Sequence, residues 1–309
     1  MKLAAASVYG CAALLVALVA GCGESPVARP VPPAVPLAAC DGARALAGIR
    51  AFLAISPREA GTSNARRAAD YLVGALRGNG VAAERQDFAD VVPGGTATFH
   101  NVIGRLPGRG QGLVILCAHF DTKAGIPGFV GANDSGSGVG VLLELARLLA
   151  PAWGGAPELW FAFLDGEECR EAYGPHDGLH GSRRLAQQLV ATGRAKDVRA
   201  VILLDMIGDR DLTVTLPPNG DARLTALVLD CAQQENARSK FALAPGGILD
   251  DHQPFLDAGM PAVDLIDFIY GSAPGLNDYW HTAADTPDKL SADSLQTIGR
   301  VVLRMLTAL

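Results

Sequence analysis

The chain has 309 residues, 49% of them hydrophobic and 19% charged, and a formal net charge of −6. That composition is globular and excludes a disordered or fibrous chain. No dense Lys/Arg cluster occurs, which argues against a nucleic-acid partner.

The leading residues do not read as folded domain. Lys2 precedes an apolar run, Leu3–Ala20, rich in Ala, Gly and Ser, and Cys22 follows Ala20-Gly21. A charged start, a short apolar core and small residues before a cut describe an export signal. The run is also long enough for a retained membrane helix, but its small residues favour cleavage. The Ala-Gly-Cys ending resembles a bacterial lipobox, which implies a lipid on Cys22. Residues 1–22 are therefore expected to be a lipoprotein-type signal. Residues 23–40 carry Pro26, Pro30, Pro32, Pro33 and Pro36 and read as an extended tether. The expected location is the bacterial cell envelope, lipid-anchored on the periplasmic or outer surface.

Residues 41–309 read as a single catalytic domain with no internal repeat. The remaining length is enough for a well-buried core. Helical periodicity is expected over Ala43–Leu53 and Ala65–Arg77, the second stopped by Gly78-Asn79-Gly80. Val81–Phe88 and Phe99–Leu106 read as paired strands around Pro93-Gly94-Gly95. Next come a strand at Gly112–Ala118, a helix at Val139–Leu149, a strand at Glu158–Leu164 and a helix at Ser182–Ala191. A strand at Ala200–Leu204, a helix at Asp221–Glu235, a strand at Ala262–Ile266 and a terminal helix from Ser291, a candidate cap, complete the series. This alternation predicts a three-layer α/β fold: a central, mostly parallel mixed sheet with helices on both faces. Ligands in such sheets bind beyond the carboxyl ends of the strands. Three predicted strands run into His119-Phe120-Asp121, Asp165-Gly166-Glu167-Glu168 and Asp205-Met206, so these clusters should share one edge.

Six cysteines are scattered with no C-x-x-C pair, which argues against a thiolate metal site. Cys117 and Cys231 lie in apolar runs and read as buried small hydrophobes. Histidine and carboxylate are the remaining ligands for a hydrolytic or acyl-transfer zinc site with an open position. His119 stands two residues before Asp121, which suits an imidazole held through its other nitrogen. Asp134 lies in a Gly-rich loop opening a helix, Glu167 and Glu168 are adjacent, and His281 follows Trp280. Each has a bland reading: a strand-end Asp usually caps a turn, and a Glu pair is usually solvated. His100, His176, His180 and His252 read singly as structural or exposed. The Gly-rich loop gives neither G-x-G-x-x-G nor G-K-[ST].

The ordered series His119-x-Asp121, Asn133-Asp134, Glu167-Glu168, Asp205-Met206 and Trp280-His281 resembles the M28 family of zinc peptidases and its glutaminyl cyclase relatives. The resemblance runs from about Pro57 to Leu309, and Pro57-Arg58…Gly61-Thr62 is similar to the family's entry segment. It implies one zinc on Asp134, Glu168 and His281 in both branches, with Glu167 as general acid/base. In the peptidases it implies a second zinc on His119 and Asp205, with Asp134 bridging.

Three features tilt the resemblance towards the cyclases. The excursion Cys169–His180 before Gly181-Ser182-Arg183 carries Tyr173, Pro175 and Asp177 at the matching places, His119-Phe120-Asp121-Thr122-Lys123 resembles the cyclase version of its motif, and Asp250-Asp251-His252-Gln253-Pro254-Phe255 is similar again, with Asp250 where peptidases carry Ser. Departures are Tyr173 where cyclases carry Trp, Leu249 where they carry Gln, and peptidase-like Asn133-Asp134-Ser135-Gly136 and Asp205-Met206-Ile207-Gly208. The resemblance implies conversion of the N-terminal Gln of peptides to pyroglutamate with release of ammonia. Glu167, Asp205 and Asp250 would be catalytic, Asp205 and Asp250 sharing a proton. Tyr173 and Trp280 would wall the pocket, and Asp121 would orient His119. The alternatives are a di-zinc aminopeptidase and a non-catalytic peptide-binding envelope lipoprotein. Peptides with free N-termini are the expected partners, and a monomer is the expected assembly.

Overall fold

The computed structural model describes residues 37–154 and 157–309. The expected signal, Cys22 and the tether up to residue 36 lie outside the described residues. Residues 37–40 do not extend as a tether: Leu37–Ala39 form a short 3-10 turn and Cys40 is buried.

The helices are α1 (Gly42–Phe52), α2 (Ser63–Gly78), α3 (Gly136–Leu149), α4 (His180–Ala191), α5 (Ala222–Gln234), α6 (Gln253–Asp257) and α7 (Ala292–Ala308). The strands are β1 (Ala82–Val92), β2 (Gly95–Leu106), β3 (Leu113–His119), β4 (Glu158–Leu164), β5 (Val198–Asp205), β6 (Val214–Leu216), β7 (Phe241–Leu243) and β8 (Ala262–Ile266). Asp41, Thr62 and Asp221 cap their helices by accepting from Arg44, Ala65 and Leu224 N–H. Ser291 occupies the cap position of α7, but its side chain makes no capping bond.

The strands form one mixed sheet in the order β1-β2-β4-β3-β5-β8-β6-β7. Its centre, β4-β3-β5-β8, is parallel. Here the near-continuous apolar runs are explained: β3 is buried at every residue, and burial on both faces demands such a run. Alternate residues serve opposite faces. Val114, Leu116, Phe161, Phe163, Ile202 and Leu204 join the core beneath α1, α3 and α7. Ile115, Cys117, Ala162 and Leu203 join the smaller core beneath α4 and α6. The antiparallel β1–β2 hairpin closes at Val92 opposite Gly95.

From β3 the chain steps through α3 to β4, then crosses through α4 to β5 on the other flank of β3. The direction of winding thus reverses between β3 and β5. A crevice opens at that point beyond the strands' carboxyl ends.

Candidate active site

β3 ends at His119 and β5 ends at Asp205, one on each side of the reversal. His119 Nε2 lies 3.2 Å from Asp205 Oδ1 and 3.2 Å from Asp134 Oδ1. Asp134 reaches this position because α3 packs tightly on the sheet. A Cβ at Gly138 would sit 2.3 Å from the Leu204 carbonyl oxygen, so only glycine permits the approach. The second oxygen of Asp134 faces His281 Nε2 at 3.3 Å, and that nitrogen lies 2.9 Å from Glu168 Oε1. Two potential ligand triads result, His119–Asp134–Asp205 and Asp134–Glu168–His281, with Asp134 in both.

Asp121 does more than face His119 Nδ1 at 3.5 Å. Its carboxylate accepts the backbone N–H of Glu167 at 3.1 Å and of Glu168 at 3.2 Å. One fully buried acid therefore sets the β3 end against the β4 end. The adjacent glutamates separate as alternating neighbours should. Glu168 meets His281, whereas Glu167 Oε1 accepts the Tyr173 hydroxyl at 2.8 Å.

The loop between β4 and α4 places Tyr173. Asp177 accepts the N–H groups of Arg170, Glu171 and Ala172. Arg183 donates to the carbonyls of Gly174, Pro175 and Leu179. Gly178, at φ +71°, leaves room for the ring; a Cβ there would lie 2.5 Å from it. Across the cavity Trp280 stacks on the His281 imidazole, centroids 4.0 Å apart, and Phe268 tilts against Trp280. Asp134, Glu167, Glu168, Tyr173, Asp205, Asp250, Trp280 and His281 all line a cavity of about 300 Å³.

Asp250 is buried, and its Oδ1 accepts the Asp251 N–H. Its Oδ2 and both oxygens of Asp264 on β8 have no hydrogen-bond partner among the described residues. Burial first, then Asp205 and Asp251, push the Asp250 carboxyl well above the usual range. Burial and Asp250 do the same to Asp264.

Sequence reasoning missed several supports. Asp285 accepts the N–H of Asn133 at 2.8 Å, the N–H of Asp134 at 3.1 Å and the Tyr270 hydroxyl at 2.7 Å. Arg58, fully buried, donates to the carbonyls of Phe120, Val130 and Gly131, tying the β3 end to the Asp134 loop. Lys123 Nζ lies 3.6 Å from Glu168 Oε2. Arg58 carried a signal as part of the entry segment, and Lys123 as the end of the His119-Phe120-Asp121-Thr122-Lys123 motif. The four cysteines among the described residues, Cys40, Cys117, Cys169 and Cys231, are free and buried. His100 and His180 pair with Asp87 and Asp90, His176 is exposed, and His252 is buried against Asn219.

The charges decide what the cavity can hold. Burial and Glu168 push Glu167 well above the ordinary carboxylate range. Burial and Asp134 push Glu168 up to about 7. Burial opposes ionisation of Asp134, but His119 and His281 outweigh it and hold its carboxyl low. Burial also works against the His281 cation, yet Asp134 and Glu168 raise it to about 9. Glu168 Oε2 has no hydrogen-bond donor. Buried carboxylates in excess over cations, one oxygen lacking a donor, and an imidazole nitrogen in each triad fit a divalent cation.

A family model described as peptidase family M28 matches residues 101–306. A glutaminyl-peptide cyclotransferase of Drosophila melanogaster is 30% identical over 275 residues, 79% of this chain and 76% of its own length. The chain spans 63% of the length of bovine and mouse relatives named glutaminyl-peptide cyclotransferase-like protein. The crystal structure of a glutaminyl cyclase from an Acidobacteriales bacterium is 32% identical with a TM-score of 0.81, covering 92% of this chain and 97% of that one. A leucine aminopeptidase precursor from Bacteroides thetaiotaomicron is 25% identical with a TM-score of 0.77, covering 89% and 99%.

Proposed function

The chain belongs to peptidase family M28, in its glutaminyl cyclase branch, and from that membership we propose that it is a zinc-dependent glutaminyl-peptide cyclotransferase. Its substrate would be a peptide with N-terminal Gln, released as the pyroglutamyl peptide with ammonia. What carries this reading is the likeness to a solved glutaminyl cyclase along 92% of the chain.

Asp134, Glu168 and His281 would hold the zinc. When bound, the ion supplies Lewis-acid polarisation of the substrate's γ-carbonyl. The chain's own groups do the rest. Glu167 takes a proton from the α-amine as that nitrogen attacks the side-chain amide carbon, Cδ, and gives it to the amide nitrogen, which leaves as ammonia when the Cδ–N bond breaks. A carboxyl held above its ordinary range by burial suits both transfers. The Tyr173 hydroxyl fixes Glu167 Oε1, leaving the other oxygen for the amine. Asp205 and Asp250 line the cavity and would face the leaving amide, and burial with Asp205 nearby favours a protonated Asp250 there. Trp280 and Phe268 exclude water, which is not a reactant.

A second reading, a di-zinc aminopeptidase, is favoured by Asp134 standing in both triads and by the likeness to the leucine aminopeptidase precursor. A substrate panel run beside metal analysis on the purified protein separates the two. Ammonia release from Gln-peptides with one zinc per chain supports the cyclase. Two zincs with release of Leu or Ala from peptides would overturn it. Export and lipid attachment at Cys22 rest on the Leu3–Ala20 run and the Ala20-Gly21-Cys22 ending. If they hold, Cys22→Ser moves the protein to the soluble fraction; unchanged membrane retention refutes them.

A further inference from the structure

Tyr173 and Leu249 each have two sides. One side of each lines the catalytic cavity, and both also line a second hollow of about 580 Å³ between α4 and α6. This second hollow falls in the size range of sites that take organic ligands, about 300–1,000 Å³. Its surface is mainly apolar, with Leu179, Val190 and Pro254 among its walls. The Arg183 guanidinium at its edge is committed to loop carbonyls and offers little to an anion. Asp257, also lining the hollow, accepts from Gln253 Nε2, and its charge disfavours an acidic guest. Tyr173 and Leu249 are 39% and 50% exposed, large apolar surfaces left uncovered at the junction of the two spaces.

A cavity of about 300 Å³ holds little more than the first residue of a peptide, so the rest of the substrate must leave through its mouth. We propose that the hollow between α4 and α6 receives the substrate residues that follow the N-terminal glutamine, and that it selects an apolar side chain among the first three of them. The peptide would pass over Tyr173 and Leu249, continuous with the cavity. This assignment rests on the cyclotransferase reading and adds a specificity determinant to it. Val190 is 53% exposed, so a charge there is compatible with folding, and neither it nor Ala191 touches the catalytic cavity.

The test measures kcat/KM for ammonia release by the full-length protein from glutamine amide and from Gln-Ala-Ala-Ala amide. Three further peptides carry Leu at the second, third or fourth position, and matched peptides carry Asp there. At least one Leu peptide is expected to exceed the all-Ala peptide by about 10-fold, the effect of burying part of one Leu side chain. Its Asp counterpart should fall below the all-Ala peptide. Val190→Glu, and independently Ala191→Glu, should erase most of the Leu gain while leaving glutamine amide unchanged. A Leu gain that is absent, or that both variants retain, overturns the assignment while turnover of glutamine amide upholds the cyclotransferase reading. If no glutamine substrate releases ammonia, that reading falls and the assignment falls with it.

Discussion

Asp285→Asn changes no volume and, at a pH above about 7, to which burial and Asp134 raise the native carboxyl, removes one charge, yet its position predicts a large effect. The native carboxylate accepts three hydrogen bonds, from Asn133 N–H, Asp134 N–H and the Tyr270 hydroxyl. An asparagine side chain has one acceptor oxygen, so its amide nitrogen must face a donor. The least costly orientation keeps the carbonyl on Asn133 N–H and Tyr270, which share Oδ1, and turns the amide towards Asp134 N–H. The bond to Asp134 is lost, about 1.5–3 kcal/mol for a charged acceptor, and two buried donors face each other, about 1–3 kcal/mol more. The sum is about 2.5–6 kcal/mol of unfolding free energy. Asp134 is a member of both ligand triads, so its loosened amide should also weaken zinc binding, by about 10- to 100-fold for an outer partner of this kind. Denaturant unfolding of the metal-free protein and competition for zinc against a chelating dye measure the two effects separately. Unfolding within about 0.5 kcal/mol of the native protein, the range of ordinary surface changes, together with unchanged zinc affinity, would refute the reasoning.

Three further outcomes are expected. Glu167→Gln should lower kcat by about 10²- to 10⁴-fold while zinc stoichiometry holds; undiminished turnover would remove Glu167 from the acid/base role. Gly178→Ala forces a Cβ into the Tyr173 ring at φ +71° and should lower turnover more than Tyr173→Phe, which keeps the ring in place; equal or reversed effects in steady-state assays would contradict the packing. His252 is held low, to about 4, by burial, with Asp257 opposing, and Asn219 donates to its Nε2. A histidine with a depressed folded pKa stabilises fully above its unfolded value of about 6.5, and that contribution disappears as pH falls through the folded value. Unfolding free energy should therefore decline between pH about 6.5 and 4 by roughly 3 kcal/mol from this group. His252→Gln should flatten that limb, and a limb of unchanged slope would disprove the assignment.

The parallel centre of the sheet was legible because burial on both faces leaves an unmistakable record. Glu158–Leu164 and Ala262–Ile266 match β4 and β8 residue for residue. Convergence of His119, Glu167, Glu168 and Asp205 at one edge followed from the rule on strand ends. Other elements left no such record. β6 and β7 have three residues each and α6 has five, too short for any period to show. α3 begins at Gly136 and not at Val139, because its first turn contains two glycines whose weak helix preference is overridden by packing on Leu204. Asp285, Asp264 and the contacts of Arg58 were illegible for another reason. Their partners are backbone groups or acids brought in from distant chain segments, and no local pattern marks an acceptor for an amide 151 residues away.

Asp134 presents one oxygen to the His119 side and the other to the His281 side. The two halves of the cavity are thereby joined in a thermodynamic cycle. Any event that draws Asp134 towards one half alters the other's affinity, and by reciprocity the coupling is the same in both directions. The halves therefore cannot be titrated as independent sites. At equilibrium the occupancy of one depends on that of the other, and a single loading curve for the whole protein reports the two together.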